Sequence, residues 1–184
     1  MRQGHGNVAS VIKAIPQAFQ VDGVSSALDS DGEVKHIQAC LFEDGLLTQV
    51  YADWKLSDGM SGTLYVLANL QELDLEALRD EGMTEREWLA MQVATAEGQV
   101  AHFFTGKLEL DKQPVGQTVL PVDMKRGIAR FDLRMRGAGL AVSRLTLKNV
   151  AQQGYVFEQD GHPSSSDMDV ADQAYSFTPS LQAD

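Results

Sequence analysis

A mostly β fold of the antiparallel sandwich class is what this sequence predicts, and three observations predict it. The dominant apolar period is two, turn dipeptides recur at short intervals, and one stretch, from Leu73, breaks the pattern with helical spacing. The clearest period-two stretch is 128–136. Ala129, Phe131, Leu133 and Met135 share one face there, while Arg130, Asp132, Arg134 and Arg136 share the other. That is the pattern of a strand with one buried and one solvated face. Residues 63–69 differ, with Leu64, Val66 and Ala68 on one face and Tyr65 and Leu67 on the other. A strand apolar on both faces belongs at the centre of a sheet or under a helix.

Further strands are predicted at 34–42, 46–54, 104–110, 117–122, 142–150, 155–157 and 175–177. Asp31-Gly32, Asp44-Gly45, Asp58-Gly59, Gly137-Ala138-Gly139 and Asp160-Gly161 separate most of them, and Asp44-Gly45 is the strongest hairpin signal. The expectation is a sandwich of about seven strands. Phe131, Leu133, Leu64, Val66, Leu145 and Leu147 are its predicted core, with Arg130, Arg134 and Arg136 facing solvent. One helical insertion, about 73–95, interrupts it. Leu73, Leu75 and Leu78 have helical spacing, and Thr84-Glu85-Arg86-Glu87 is a capping box that opens a second helix. Residues 158–173, rich in Ser and Asp, read as a loop.

The length of 184 residues suits a single domain over 1–184. Such a chain buries about 70% of its unfolded surface and needs no staples. Net charge is −11, from 26 acids against 15 bases, which repels nucleic acid and anionic lipid and makes both poor partners. Cys40 is the lone cysteine, so no intrachain disulfide forms. No apolar run reaches the ~18 residues of a membrane span. Met1 is followed by Arg2, Gln3, Gly4 and His5, without an apolar leader. On composition the chain is either cytoplasmic or a mature or trimmed form of an exported protein.

A search for chemistry predicts no catalytic, cofactor or metal site. His36 and Cys40 are the pair to test as base and nucleophile, but four residues along a strand set them ~13 Å apart. A buried thiol near an imidazole is the favoured reading. Asp29-Ser30-Asp31-Gly32-Glu33 lacks the distal ligands of a calcium loop, and Asp167, Asp169 and Asp172 read as a solvated acidic turn. No phosphate loop, dinucleotide fingerprint, zinc spacing or nucleophile elbow occurs. Seven of the 15 bases lie between Lys125 and Lys148 (Lys125, Arg126, Arg130, Arg134, Arg136, Arg144 and Lys148), with Asp132 the single acid among them. A solvated outer face is the favoured reading, ahead of contact with an acidic subunit.

Several ordered motifs resemble one family. Gly62-Thr63-Leu64-Tyr65-Val66-Leu67-Ala68-Asn69 is similar to a Tyr-containing strand ending in Ala-Asn. A leucine-bearing helix (73–78) and a Thr-capped helix (84–93) follow, then Phe104-Thr105-Gly106. Next comes Lys125-Arg126-Gly127-Ile128-Ala129-Arg130-Phe131-Asp132-Leu133, then Leu145-Thr146-Leu147-Lys148-Asn149-Val150 and Tyr155-Val156-Phe157. Across 34–178, this order and spacing resemble the N-terminal domain of the Bacteroidales fimbrillins, subunits of type V pili. The resemblance implies a transthyretin-like β-sandwich, export as a lipoprotein precursor, and an outer-membrane, cell-surface location. It also implies cell adhesion through a fimbrium built from similar subunits by strand addition, with no enzymatic activity. Membrane contact would come only through a lipid anchor on the precursor. Fimbrillins usually carry a second sandwich and a lipobox cysteine. Here the chain ends at Asp184 and Cys40 lies inside a predicted strand, as in an isolated or trimmed domain. The alternative reading is a stand-alone surface module binding a glycan or a host or bacterial surface ligand; a third is a carboxylate-based hydrolase. A groove lined by Trp54, Trp88 and acids would favour either of these.

In fimbrillins the first strand is often released by an arginine-specific protease, and a neighbour's strand fills the vacated groove. The candidate polymerisation strand here carries Val8, Val11, Ile12 and Ile15, and Pro16 is expected to end its pairing. No arginine occurs between Arg2 and Arg79, so the strand is expected to stay attached, as in an anchor or a differently processed subunit.

Overall fold

The computed structural model describes residues 10–16, 20–21, 24–25, 34–52, 55–56, 60–70, 73–94, 103–113, 119–127, 136–137, 139–159 and 169–182. The elements in chain order begin with β1 (Ser10–Pro16), β2 (Gln20–Val21), β3 (Val24–Ser25), β4 (Ile37–Glu43), β5 (Leu46–Tyr51), β6 (Lys55–Leu56) and β7 (Thr63–Ala68). Helices α1 (Leu75–Asp80) and α2 (Glu85–Leu89) follow, then β8 (Gln92–Ala94), β9 (Phe104–Glu109) and a 3-10 turn at Leu110–Lys112. The chain continues through β10 (Val119–Arg126), β11 (Ala141–Ala151), β12 (Gln153–Tyr155) and β13 (Val170–Gln182). A seven-stranded sheet runs β5-β4-β7-β9-β10-β1-β6, and β11–β13, β12–β8 and β2–β3 form separate pairs.

The fold is a mostly-β sandwich, and its organiser is β7. Leu64, Tyr65, Val66, Leu67 and Ala68 are all buried, so this strand has no solvent face. On one side Leu64, Val66 and Ala68 join Ile37, Ala39 and Leu41 of β4 and Phe104 of β9 in a core shared with Ile12, Leu120, Val122 and Met124. On the other side Tyr65 and Leu67 join Cys40 and Phe42 under Leu75 of α1, Trp88 of α2 and Phe157. Both placements open to such a strand, centre of a sheet and under a helix, are therefore realised at once. The second core is aromatic. Phe42 and Phe157 meet Tyr65 edge-on at 5.5 and 5.1 Å, and Trp88 lies 5.2 Å from Phe157.

Local chemistry fixes the joints. At the β4–β5 hairpin Asp44 (φ 51°) and Gly45 (φ 78°) both take positive φ, as a tight turn between twisted strands requires. The Thr84 hydroxyl accepts from the Glu87 amide, while the Glu87 carboxylate accepts from the Thr84 hydroxyl and the Thr84 amide, which together hold it below the usual carboxylate range. The Tyr65 hydroxyl donates to Glu85 at 2.6 Å, tying the sheet to the first turn of α2. Burial first, then this bond, raises the Tyr65 pKa.

Two glycines permit close approaches. Gly62 has φ +105°, and a Cβ there would lie 2.2 Å from the Phe42 carbonyl oxygen. A Cβ on Gly106 would lie 2.7 Å from Val122 Cγ1 and 2.9 Å from Met124 Sδ. Gly106 thus marks the place where β10 passes close over β9.

Several expectations are corrected. Leu145 and Leu147 are half-buried rather than core, because β11 pairs only with β13 among the described residues and has a wet outer face. The second helix ends at Leu89, with Ala90 as its cap, and 92–94 form strand β8. The loop expected to 173 ends sooner, since β13 starts at Val170. One ladder, β1–β10, is parallel. Arg136 is exposed as expected. Phe131, Leu133, Arg130, Arg134 and the rest of the strand at 128–135 lie outside the described residues.

Gly62→Ala meets both a backbone clash and a disfavoured φ, and we expect a loss of at least about 2 kcal/mol in urea unfolding. Gly82 has φ +78° but nothing within 4 Å of an added Cβ, so Gly82→Ala should cost only about 1 kcal/mol. Equal costs at the two sites would refute the steric assignment.

Candidate assembly site

The candidate strand forms β1. Val11, Ile12 and Ile15 are β-branched and favour extended backbone, and Pro16, which lacks an N–H, is its last residue. β1 lies parallel to β10 with Val11 beside Val119, Ile12 beside Leu120, Ala14 beside Val122 and Pro16 beside Met124. On its other edge β6 pairs only with Ser10 and Val11. Most of β1 therefore depends on β10 alone for described backbone partners.

The four residues singled out do not share one role. Ile12 is 2% exposed and sits in the first core with Leu56, Leu120 and Val122. Ala14 is half-buried against the same core. Val11 and Ile15 are 41% and 42% exposed, on the outer face with Val119 at 47%. Val8 lies outside the described residues. The period-two rule separates Ile12 from Val11 and Ile15 but does not say which face is inward; the position of β6 and β10 decides that. Sequence reasoning missed Leu56, because a two-residue strand has no readable period.

Without β1, the β10 edge over 119–124 would lose its backbone partners, and Leu56, Leu120 and Val122 would face an open trough. An extended segment from another chain would supply the same hydrogen bonds and apolar cover.

Among the described residues, the remaining candidates do not gather into a reactive site. Cys40 is fully buried, and burial pushes its thiol pKa up, so it is not a ready nucleophile. Among the described residues no three His, Cys, Asp or Glu side chains cluster as metal ligands. Asp172 accepts from the Asn149 amide and pairs with Lys148, whose proximity lowers its pKa. Asp29 to Glu33 and Asp167 lie outside the described residues. Trp88 is wholly buried and lines no groove, and Trp54 is not described. In the basic stretch, Lys125 pairs with Glu158 and Lys148 with Asp172, so part of its charge is met within the chain. A cleft of about 350 Å³ beside the Lys125–Glu158 pair is lined by Thr105, Arg126 and Tyr155, and Arg126 stacks 4.6 Å above Phe104.

No family model matches the chain, and no curated protein matches it. Its structure is similar to the crystal structure of a fimbrilin (FimA) from Porphyromonas gingivalis W83, with a TM-score of 0.49 and 16% identity. The match covers 83% of this chain and 51% of that one, so this chain spans about half the length of the fimbrilin.

In the intact chain, Ile12→Ala should cost about 2–5 kcal/mol in chemical unfolding, the usual cost of such a core truncation. Val11→Thr should change stability by less than about 0.5 kcal/mol. Cys40 should resist thiol reagents in native buffer and react in urea. Rapid native labelling would contradict its burial.

Proposed function

We propose that this chain is a structural subunit, or an accessory or anchor component, of a bacterial surface fimbria that joins other subunits by strand addition and serves adhesion. The observation that carries the reading is the seating of β1. It is a strand paired with β10 over Val11–Pro16 and with β6 only at Ser10 and Val11, and it seals the core with Ile12. Such an element is separable in a way that β7, buried on both faces, is not. The ordered motifs from Gly62 to Phe157 support the same reading. We include in the proposal an exported, lipid-anchored precursor and the absence of catalysis. No helix among the described residues is long and apolar enough to cross a membrane.

The intact seating of β1 and the lack of arginine between Arg2 and Arg79 favour a subunit that keeps its first strand, as an anchor would. Such a subunit meets its neighbours by another segment until β1 is displaced. The burial of Trp88 removes one support for the glycan-module alternative.

Deletion of residues 1–15 tests the proposal. The expected product is a monomer of clearly lower melting temperature, or oligomers at micromolar concentration, with recovery on adding a peptide of sequence 8–16. Unchanged melting and a persistent monomer would make the segment dispensable and remove the basis of the assembly reading.

A further inference from the structure

We infer that the groove beneath β1 selects its occupant at two adjacent inward positions: a large aliphatic side chain at the place of Ile12, and a small one at the place of Ala14. The inference rests on the strand-addition reading and specifies the partner. It is an extended segment of another subunit with an aliphatic residue followed, two positions later, by one no larger than alanine.

The asymmetry of β1 supplies the argument. Its inward face holds Ile12 and Ala14, and over residues 11–15 Ile12 is the fully buried side chain. Leu56, Leu120 and Val122 belong to the core around Ile12, so a shorter residue there leaves a cavity that the close-packed layers cannot fill. The second position is limited from below. Ala14 stands beside Val122, and Val122 Cγ1 already approaches the bare Cα of Gly106, where even an added Cβ would come within 2.7 Å. Val122 has no room to retreat from a longer residue at the Ala14 place. The outer positions carry no such demand. Val11, Lys13 and Ile15 are exposed, so the hydrogen bonds to β10 are sequence-neutral there and selectivity falls to the inward pair.

The test uses the full chain with a site-specific protease sequence inserted between β3 and β4, within residues 26–33. After cutting, β1 is held without a covalent link, and fluorescent peptides of sequence 8–16 compete for its place. The parent peptide and a Val11→Thr/Ile15→Thr peptide should bind within about 3-fold of each other. An Ile12→Ala peptide should bind at least about 30-fold more weakly, and an Ala14→Leu peptide at least about 10-fold more weakly. If cutting releases β1 outright, each peptide is added back and the same ranking is read as recovered melting temperature. Equal binding by all four peptides would overturn the selectivity while leaving strand addition intact. Failure of even the parent peptide to exchange or to restore melting would overturn strand addition and this inference together.

Discussion

The structure depends on one constraint: β7 is apolar on both faces. A sheet whose central strand has no wet side must be covered twice, and the chain supplies two unlike covers. The β10–β1–β6 leaf closes over Leu64, Val66 and Ala68. The helices, with Val156 and Phe157, close over Tyr65 and Leu67. Each fully buried Leu, Val or Phe is worth about 1.5–3 kcal/mol, so neither cover is optional for a domain stable by only about 5–15 kcal/mol.

The two covers differ in kind. The helices of one cover come from neighbouring chain, with Val156 and Phe157 added from far along the sequence, and are locked by local polar geometry: the Thr84–Glu87 capping box, the Tyr65–Glu85 bond, and the Leu47 amide donating to the Met83 carbonyl at 3.0 Å. β1 comes from far away in sequence and is held by its ladder to β10, a two-residue pairing with β6, and the deep Ile12 side chain. A local cover re-forms whenever its own segment folds. A remote one pays a loop-closure entropy that a segment from another chain replaces with a concentration term.

Much of this was legible in the sequence because the signals are local. The Asp44-Gly45 hairpin, the capping box and the two-faced strand at 63–69 each follow from a handful of adjacent residues. Met91 and Val93 continue the apolar spacing of the second helix and predict it too long; in the structure Val93 instead pairs with Gly154 of β12, a partner 61 positions away by number. Alternation predicts Leu145 and Leu147 in the core because it reports which face is drier, not how deeply that face is covered. The site was half legible. Apolar content ending at Pro16 and the family resemblance mark a strand at β1, although the spacing 8, 11, 12, 15 is helical; none of these gives its parallel register with β10, the contribution of Leu56, or the confinement that Gly106 places on Val122.

Under the proposed strand addition, the geometry singles out β1 rather than another strand of the sheet. Removing β4, β7 or β9 would break two ladders, since each pairs on both sides within the sheet, and removing β4 or β7 would also expose both cores. β5 is an edge strand, yet Leu47 and Gly45 bond to 83–85, so its loss would also unseat α2. β6 is too short to carry binding energy of its own. β1 combines an extended ladder, one deeply buried anchor and a single short neighbour on the far edge. On the proposed reading, an extended segment with one aliphatic anchor at the Ile12 place would replace it while leaving the ladders of β4, β7 and β9 in place.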